Sequence, residues 1–206
     1  MIDRFDADTA LLIVDAQVGV DDLAYWGGAT ARRNNPDAEE HLHCLLGQWR
    51  AAGRPVAFSL HDSWERHSPL KRSLPTGASK PGLEPQGGEI VVVKHVNGAF
   101  FGTDLDLRLR RAGVRRLAVG GFFTNFCVET TVRTAGNIGF DTYLCHDACA
   151  TTNRTGPDGA DHDPEVVHQL AVASMHGEFC TAVTTSDAVD LLRSERADLE
   201  RVQGNE

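Results

Sequence analysis

The stretch Arg116–Asn137, RLAVGGFFTNFCVETTVRTAGN, decides how the chain is read. Arg116-Leu-Ala-Val119 is a short apolar strand, and Gly120-Gly121 ends it. Beyond Thr124 the pattern changes period: Val128, Thr131, Val132 and Ala135 recur at helical spacing. A helix is therefore expected from about Thr124 to Asn137, with Thr124 as its N-cap. A strand that turns directly into a helix, with Cys127 in the first turn, is the repeating unit of an open α/β sheet.

The same alternation runs through the rest of the chain. Ala10–Val14, Pro55–Leu60, Glu89–Val93, Asp141–Cys145 and Cys180–Thr184 read as further strands, and Pro36–Ala52, Asp104–Ala112 and Pro164–His176 as helices. A last helix runs from Ser186 into a polar tail. Strands that are continuous apolar runs, separated by helices, imply a mostly parallel six-stranded sheet covered on both faces. The 206 residues suit one well-buried domain, a single-domain three-layer α/β fold with its core at about 9–192. Connections from helix back to strand are tight, as at Gly53-Arg54 and Gly139-Phe140. The long irregular ones follow strands, at Ala16–Asn35, His61–Gly88 and His146–Asp163. Long segments of this kind are usually functional, and ligands of doubly wound sheets bind beyond the carboxyl ends of the strands.

Composition narrows the function. The net charge is −9, from 20 basic and 29 acidic residues, and no basic stripe compensates, which argues against nucleic acid as a partner. The longest apolar run, Ala10–Val14, is far too short to span a bilayer, and Met1–Asp6 lacks the pattern of a signal peptide. A cytoplasmic protein is expected. Five scattered cysteines (Cys44, Cys127, Cys145, Cys149, Cys180) read as reduced thiols rather than a disulfide frame, four of them as small buried hydrophobes. Gly120-Gly121 does not complete a dinucleotide fingerprint and no phosphate-binding loop occurs, so no cofactor is expected.

Three reactive side chains stand at the ends of three apolar runs: Asp15 after Leu-Leu-Ile-Val, Lys94 after Ile-Val-Val-Val, and Cys127 beyond Val119. Taken singly, each has an ordinary reading: a helix cap or ion-pair partner, a strand-end charge reaching solvent, a small buried residue. Taken together, they can converge on one pocket. There the helix N-terminus and the Lys94 ammonium favour a Cys127 thiolate, Asp15 can move the proton, and nearby backbone N–H groups can hold an oxyanion.

At these residues the sequence resembles the isochorismatase-like cysteine hydrolases, a family that includes nicotinamidases and N-carbamoylsarcosine amidases. The likeness spans about Thr9–Leu192. It is carried by Leu11-Leu-Ile-Val-Asp15-Ala-Gln17, by Val93-Lys94 with Asn97-Gly-Ala-Phe-Phe-Gly-Thr-Asp104-Leu, and by Gly120-Gly-Phe-Phe-Thr124-Asn-Phe-Cys127-Val128. Ala135–Phe140 and Asp147-Ala148 continue it. The resemblance implies the isochorismatase-like hydrolase fold, Cys127 as nucleophile, Asp15 as general base, and Lys94 holding the thiolate. It also implies a cis peptide at Phe122–Phe123, with the Phe123 and Cys127 N–H groups as oxyanion hole, and assembly as a homodimer or homotetramer.

The expected activity is hydrolysis of a C–N bond in a small amide, lactam or ureido compound through a thioester. Lys94–Thr103 and Asn153–Glu178 resemble a subgroup that includes streptothricin hydrolase. A vinyl-ether hydrolase of the isochorismatase type, which lacks the cysteine, and a non-catalytic binding protein are the alternatives. Gln17, His61, Phe100 and Asn125 are the expected substrate contacts, and Tyr25, Trp26, Trp64, Phe101, Phe123 and Phe126 are further aromatics that could line a pocket. No metal is expected, because His61-Asp-Ser-Trp-Glu-Arg-His67 does not reproduce the nicotinamidase ligand order. Cys145-His146-Asp147 is not a triad, since consecutive residues point in different directions.

Overall fold

A computed structural model describes residues 4–193; the polar tail expected at the C-terminus, 194–206, lies outside the described residues. The chain runs β1 (Thr9–Val14), α1 (Leu23–Gly27), α2 (Ala38–Ala51), β2 (Val56–His61), β3 (Ile90–Lys94), α3 (Leu105–Arg111), β4 (Arg116–Phe122), α4 (Glu129–Asn137) and β5 (Asp141–Ala150). A small hairpin, β6 (Arg154–Thr155) and β7 (Asp161–His162), precedes α5 (Pro164–Met175), β8 (Thr181–Val183) and a last helix, α6, over 185–193.

The main sheet has the order β3-β2-β1-β4-β5-β8, with every neighbouring pair parallel. Strand β1 explains the layering. All six of its residues are buried, and successive side chains point to opposite faces. Leu11 and Ile13 join Leu42, Leu45, Leu46 and Trp49 of α2 and Ala188, Val189 and Leu192 of α6 on one side. Ala10, Leu12 and Val14 join Leu105 and Leu109 of α3, Val132 and Ala135 of α4, and Met175 of α5 on the other. Each fully buried Leu or Val contributes about 1.5–3 kcal/mol, so a strand apolar at every position is stable only between two helical layers.

The order also fixes where a ligand can bind. From β1 the chain winds outward through β2 and β3, then returns to place β4 on the other side of β1. Strand order reverses there, and the loops after β1 and β4 diverge to leave a crevice between them. Asp15 leaves β1 into this crevice, and Cys127 follows β4.

Two expectations are corrected. Strand β4 does not end at Val119 but continues to Phe122, pairing Gly121 with Cys149 and Phe122 with Ala150 across a register shift. Strand β5 therefore runs to Ala150 rather than stopping at Cys145, and Cys145-His146-Asp147 lie inside it. Gly121 makes this continuation feasible: its φ is +137°, and a Cβ there would run into the Val14 carbonyl. The helix expected from Thr124 begins as a π-helical turn, Thr124–Val128, before α4 proper. Phe123 takes the N-cap position, and its carbonyl accepts from both Phe126 N–H (3.0 Å) and Val128 N–H (3.2 Å). Thr124 does not cap, because its hydroxyl is engaged by Nδ1 of buried His168 at 2.9 Å.

Candidate active site

Backbone register assembles the site. Val14 lies opposite Ser59 on β2, and the Asp15 N–H donates to the Ser59 carbonyl at 3.0 Å. The chain turns away from β1 at Asp15, whose φ of +50° is uncommon for a residue with a Cβ. Its carboxylate accepts from the Ser59 hydroxyl at 2.8 Å and meets Lys94 Nζ at 2.6 Å. Lys94 is the last residue of β3, paired in register with His61, the last of β2. Its ammonium also lies 3.1 Å from His61 Nδ1 and donates to the Val96 carbonyl at 3.1 Å. His61 Nδ1 also faces Asp15 Oδ2 at 3.5 Å, so the ring stands between the carboxylate and the ammonium.

Cys127 completes the group from the π-helical turn. Its Sγ is 3.6 Å from His61 Nδ1 and 3.8 Å from Asn97 Oδ1. One acceptor or donor atom each of Asp15, His61 and Cys127 lie within 4.8 Å of one another. The Asp15 and Lys94 side chains are fully buried. The peptide bond Phe122–Phe123, just before the turn, is cis, as the sequence resemblance implies.

The protonation states follow from burial set against charge. Burial pushes the Asp15 carboxyl upward, but the Lys94 ammonium and His61 outweigh it and hold its pKa below the usual value. Burial would lower Lys94, and Asp15 and Cys127 reverse this to hold it above the ordinary lysine value. At Cys127 burial dominates. Burial first and the Asp15 carboxylate second push its thiol well up, with Lys94 opposing them only in part. The site thus sets the Asp15–Lys94 ion pair beside a Cys127 thiol whose ionisation burial and the Asp15 carboxylate oppose. One short π-helical turn does not offset the desolvation of a buried sulfur.

Asp15, His61 and Cys127 are all metal-ligating types, yet the triangle already holds a cation. Lys94 Nζ touches both Asp15 and His61, so a divalent ion there would face an ammonium at contact distance.

Beside the sulfur opens a cleft of about 520 Å³, whose wall includes His61 and Asn97, the two residues in contact with Sγ. Of the expected substrate contacts, His61 lines this cleft. Gln17 does not: it is fully buried, its amide donating to the His61 and Gly77 carbonyls and accepting from the His61 N–H at 2.7 Å. It is a strut that fixes the end of β2. Phe100 packs on Phe140 instead of the cleft, and Asn125 is tied to the Thr151 hydroxyl. Tyr25, Trp26, Trp64 and Phe101 do line it, while Phe123 and Phe126 stand behind. Ser59 and Asn97 are additions that the sequence reading passed over. A lone serine inside the apolar run Val56-Ala-Phe-Ser-Leu60 was the available signal, since a hydroxyl on a buried strand needs a partner. Among the other cysteines, Cys145, Cys149 and Cys180 are buried as expected, whereas Cys44 is exposed.

A deeply buried Asp–Lys pair with a cysteine beside it, at the switch point of a parallel sheet, defines a hydrolase class that comparison makes explicit. The isochorismatase domain matches residues 9–188. The chain is 35% identical over 181 residues to YrdC, an isochorismatase family protein of Bacillus subtilis, covering 88% of this chain and 94% of that one. It is 31% identical to a streptothricin hydrolase of Streptomyces noursei, over 87% of this chain and 63% of the other. A crystal structure from Chromobacterium violaceum, assigned to the isochorismatase family, superposes with a TM-score of 0.86 at 39% identity, covering 93% of this chain and 97% of the other. The chain belongs to the isochorismatase family and is a hydrolase of that family. Among the described residues no helix is long and apolar enough to cross a membrane.

Proposed function

We propose that the protein is a cysteine amidohydrolase that cleaves the C–N bond of a small amide, lactam or ureido compound. The observation that carries this reading is geometric: a fully buried Asp15–Lys94 ion pair at 2.6 Å, with the Cys127 sulfur within 4.8 Å of the carboxylate. A base beside a protonated nucleophile is arranged to move one proton during attack.

Cys127 Sγ adds to the substrate carbonyl as Asp15 takes the thiol proton. The carbonyl oxygen becomes an oxyanion, for which the backbone N–H groups of Phe123 and Cys127 are the proposed donors, a contribution of about 3–4 kcal/mol where such donors have been removed. Asp15 then hands its proton to the departing nitrogen, the C–N bond breaks, and a thioester on Cys127 remains. Water attacks the thioester as Asp15 takes its proton, and collapse releases the carboxylic or carbamic acid and returns the proton to sulfur. Lys94 keeps Asp15 ionised between these transfers and limits the cost of negative charge on sulfur. His61, which lines the cleft and touches the sulfur, is placed to orient the substrate. The likeness to a streptothricin hydrolase supports an amide-type substrate, and assembly as a homodimer or homotetramer in the cytoplasm is part of the same proposal.

Ammonia or amine release from a panel of amides, lactams and carbamoyl compounds tests the reading. Release by the wild type that vanishes in Cys127→Ala is the expected result. Equal release by both proteins refutes the nucleophile.

A further inference from the structure

The cleft over Cys127 carries a charge pattern that the proposed chemistry does not use. Among the residues that line it, Glu65 has the single formal charge; the others are aromatic, aliphatic, hydroxyl, amide or imidazole groups. The Tyr25 hydroxyl donates to Glu65 Oε2 at 2.8 Å, and among the described residues no ammonium or guanidinium pairs with this carboxylate. Burial and then Glu65 raise the Tyr25 pKa, so the phenol keeps the proton that it donates. The segment is fixed further by Glu65 N–H on the Ser63 hydroxyl (3.1 Å) and Ser68 N–H on the Glu65 carbonyl (3.3 Å). Two basic residues of this region are occupied elsewhere. Lys71 donates to the Ser63 carbonyl at 2.6 Å, and Arg154 donates to the Trp26 carbonyl while covering Phe126.

Aromatic rings line the same cleft as this carboxylate. Tyr25 meets Trp26 edge-on at 4.8 Å, and Trp26 in turn packs on Phe123 at 5.0 Å, next to the nucleophile's turn. Trp64 stacks flat on His95 at 5.1 Å, yet it is 76% exposed. Phe101, 55% exposed, lines the same opening. Exposed aromatic faces around one unpaired carboxylate are the components from which proteins build sites for organic cations.

We infer that this mouth is a cation subsite: it takes the ammonium or guanidinium of the substrate between Glu65 and the Tyr25, Trp26 and Trp64 rings, while the scissile carbonyl reaches Cys127. This rests on the reading of the cleft as the substrate site. A volume of about 520 Å³ is within the range of pockets that hold small molecules. The net charge of −9 adds a long-range attraction for cations.

The test separates binding from turnover. Choline, its neutral isostere 3,3-dimethylbutan-1-ol and the anion 3,3-dimethylbutanoate are titrated into the wild-type protein, and Kd is read from tryptophan fluorescence. Choline is expected to bind about tenfold or more tightly than the alcohol, the anion more weakly than either, and added salt to erode the preference. Glu65→Gln should collapse the choline-to-alcohol ratio towards one, and Trp64→Ala should reduce it by a few-fold. Equal affinities in the wild type, or a preference that survives Glu65→Gln, overturns the subsite. In a second arm, paired amides with and without a terminal ammonium are compared by kcat/KM. Loss of the cationic advantage in Glu65→Gln supports the subsite, and an undiminished advantage overturns it. The binding arm needs no hydrolysis, so absence of any amide turnover would sink the amidohydrolase reading while leaving the cation preference to stand or fall by itself.

Discussion

Replacing Lys94 with methionine keeps most of the side-chain volume and removes the ammonium 2.6 Å from Asp15. The carboxylate that remains is fully buried, with the Ser59 hydroxyl at 2.8 Å as its one neutral donor of good geometry. Removing one partner of a buried ion pair costs about 3–5 kcal/mol, and the Ser59 bond places this case near the lower end, about 3 kcal/mol. For a chain of 206 residues each kcal/mol moves the midpoint by about 2–4 °C, so Tm should fall by about 6–12 °C. Asp15→Asn should cost a similar amount, because it strands the Lys94 ammonium against only the Val96 carbonyl and His61. The double variant Asp15→Asn/Lys94→Met buries no charge and should lose less than the sum of the singles by about 2 kcal/mol or more. Urea denaturation at pH 7 measures all four proteins.

The pH dependence has a definite sign. Asp15 is held below the usual value of 3.8, so its contribution is full above that pH and is lost as pH falls through the folded pKa. Lys94 is held above the usual 10.5, so its contribution is full below that pH and is lost as pH rises through the folded pKa. The difference between wild type and double variant should therefore be flat from about pH 5 to pH 9 and shrink at both ends. A double variant that loses the full sum of the two singles would refute the coupling on which this reasoning depends.

Other consequences can be checked separately. Cys127 should alkylate slowly with iodoacetamide at pH 7, with a rate that keeps climbing above pH 9; Asp15→Asn should label faster at neutral pH, because the carboxylate is one of the groups that raise the thiol. A rapid, pH-independent wild-type rate would contradict the thiol assignment. Gly121→Ala should destabilise by about 2 kcal/mol or more in urea melts and reduce activity with it, since both the positive φ and the Val14 carbonyl oppose a Cβ; a neutral result would show that β4 can shift. His168 is buried and its pKa is lowered, chiefly by burial, so its neutral form stabilises the fold above the usual 6.5 and that share is lost as pH falls below it. His168→Gln should flatten the stability profile between about pH 6.5 and 5.

The sequence made the fold legible because β1 and β4 are apolar at nearly every position, a pattern that only a sheet covered on both faces tolerates. Asp15, Lys94 and Cys127 could be placed because each stands at or just beyond a strand's carboxyl end, where topology alone brings residues together. What escaped the reading depends on side-chain geometry across distant segments. The Thr124 hydroxyl is engaged by a histidine 44 residues away, and the second stretch of β5 pairs with a β4 end where Gly121 lies against Val14. Gln17 and Asn125 flank reactive residues, yet the Gln17 amide is fully engaged within the protein and the Asn125 oxygen accepts from Thr151. The charged neighbours of Cys127 can be read from the motif, whereas the burial of its sulfur cannot.

Covalent capture tests the central claim most directly. A slow amide substrate from the panel is mixed with the enzyme, quenched in acid within the first turnover, and examined by intact-protein and peptide mass spectrometry. The expected result is a mass increase equal to the acyl portion on the peptide that carries Cys127, decaying as product forms and absent in Cys127→Ala. Turnover in the wild type with no adduct at any quench time, and undiminished in Cys127→Ala, would contradict the account.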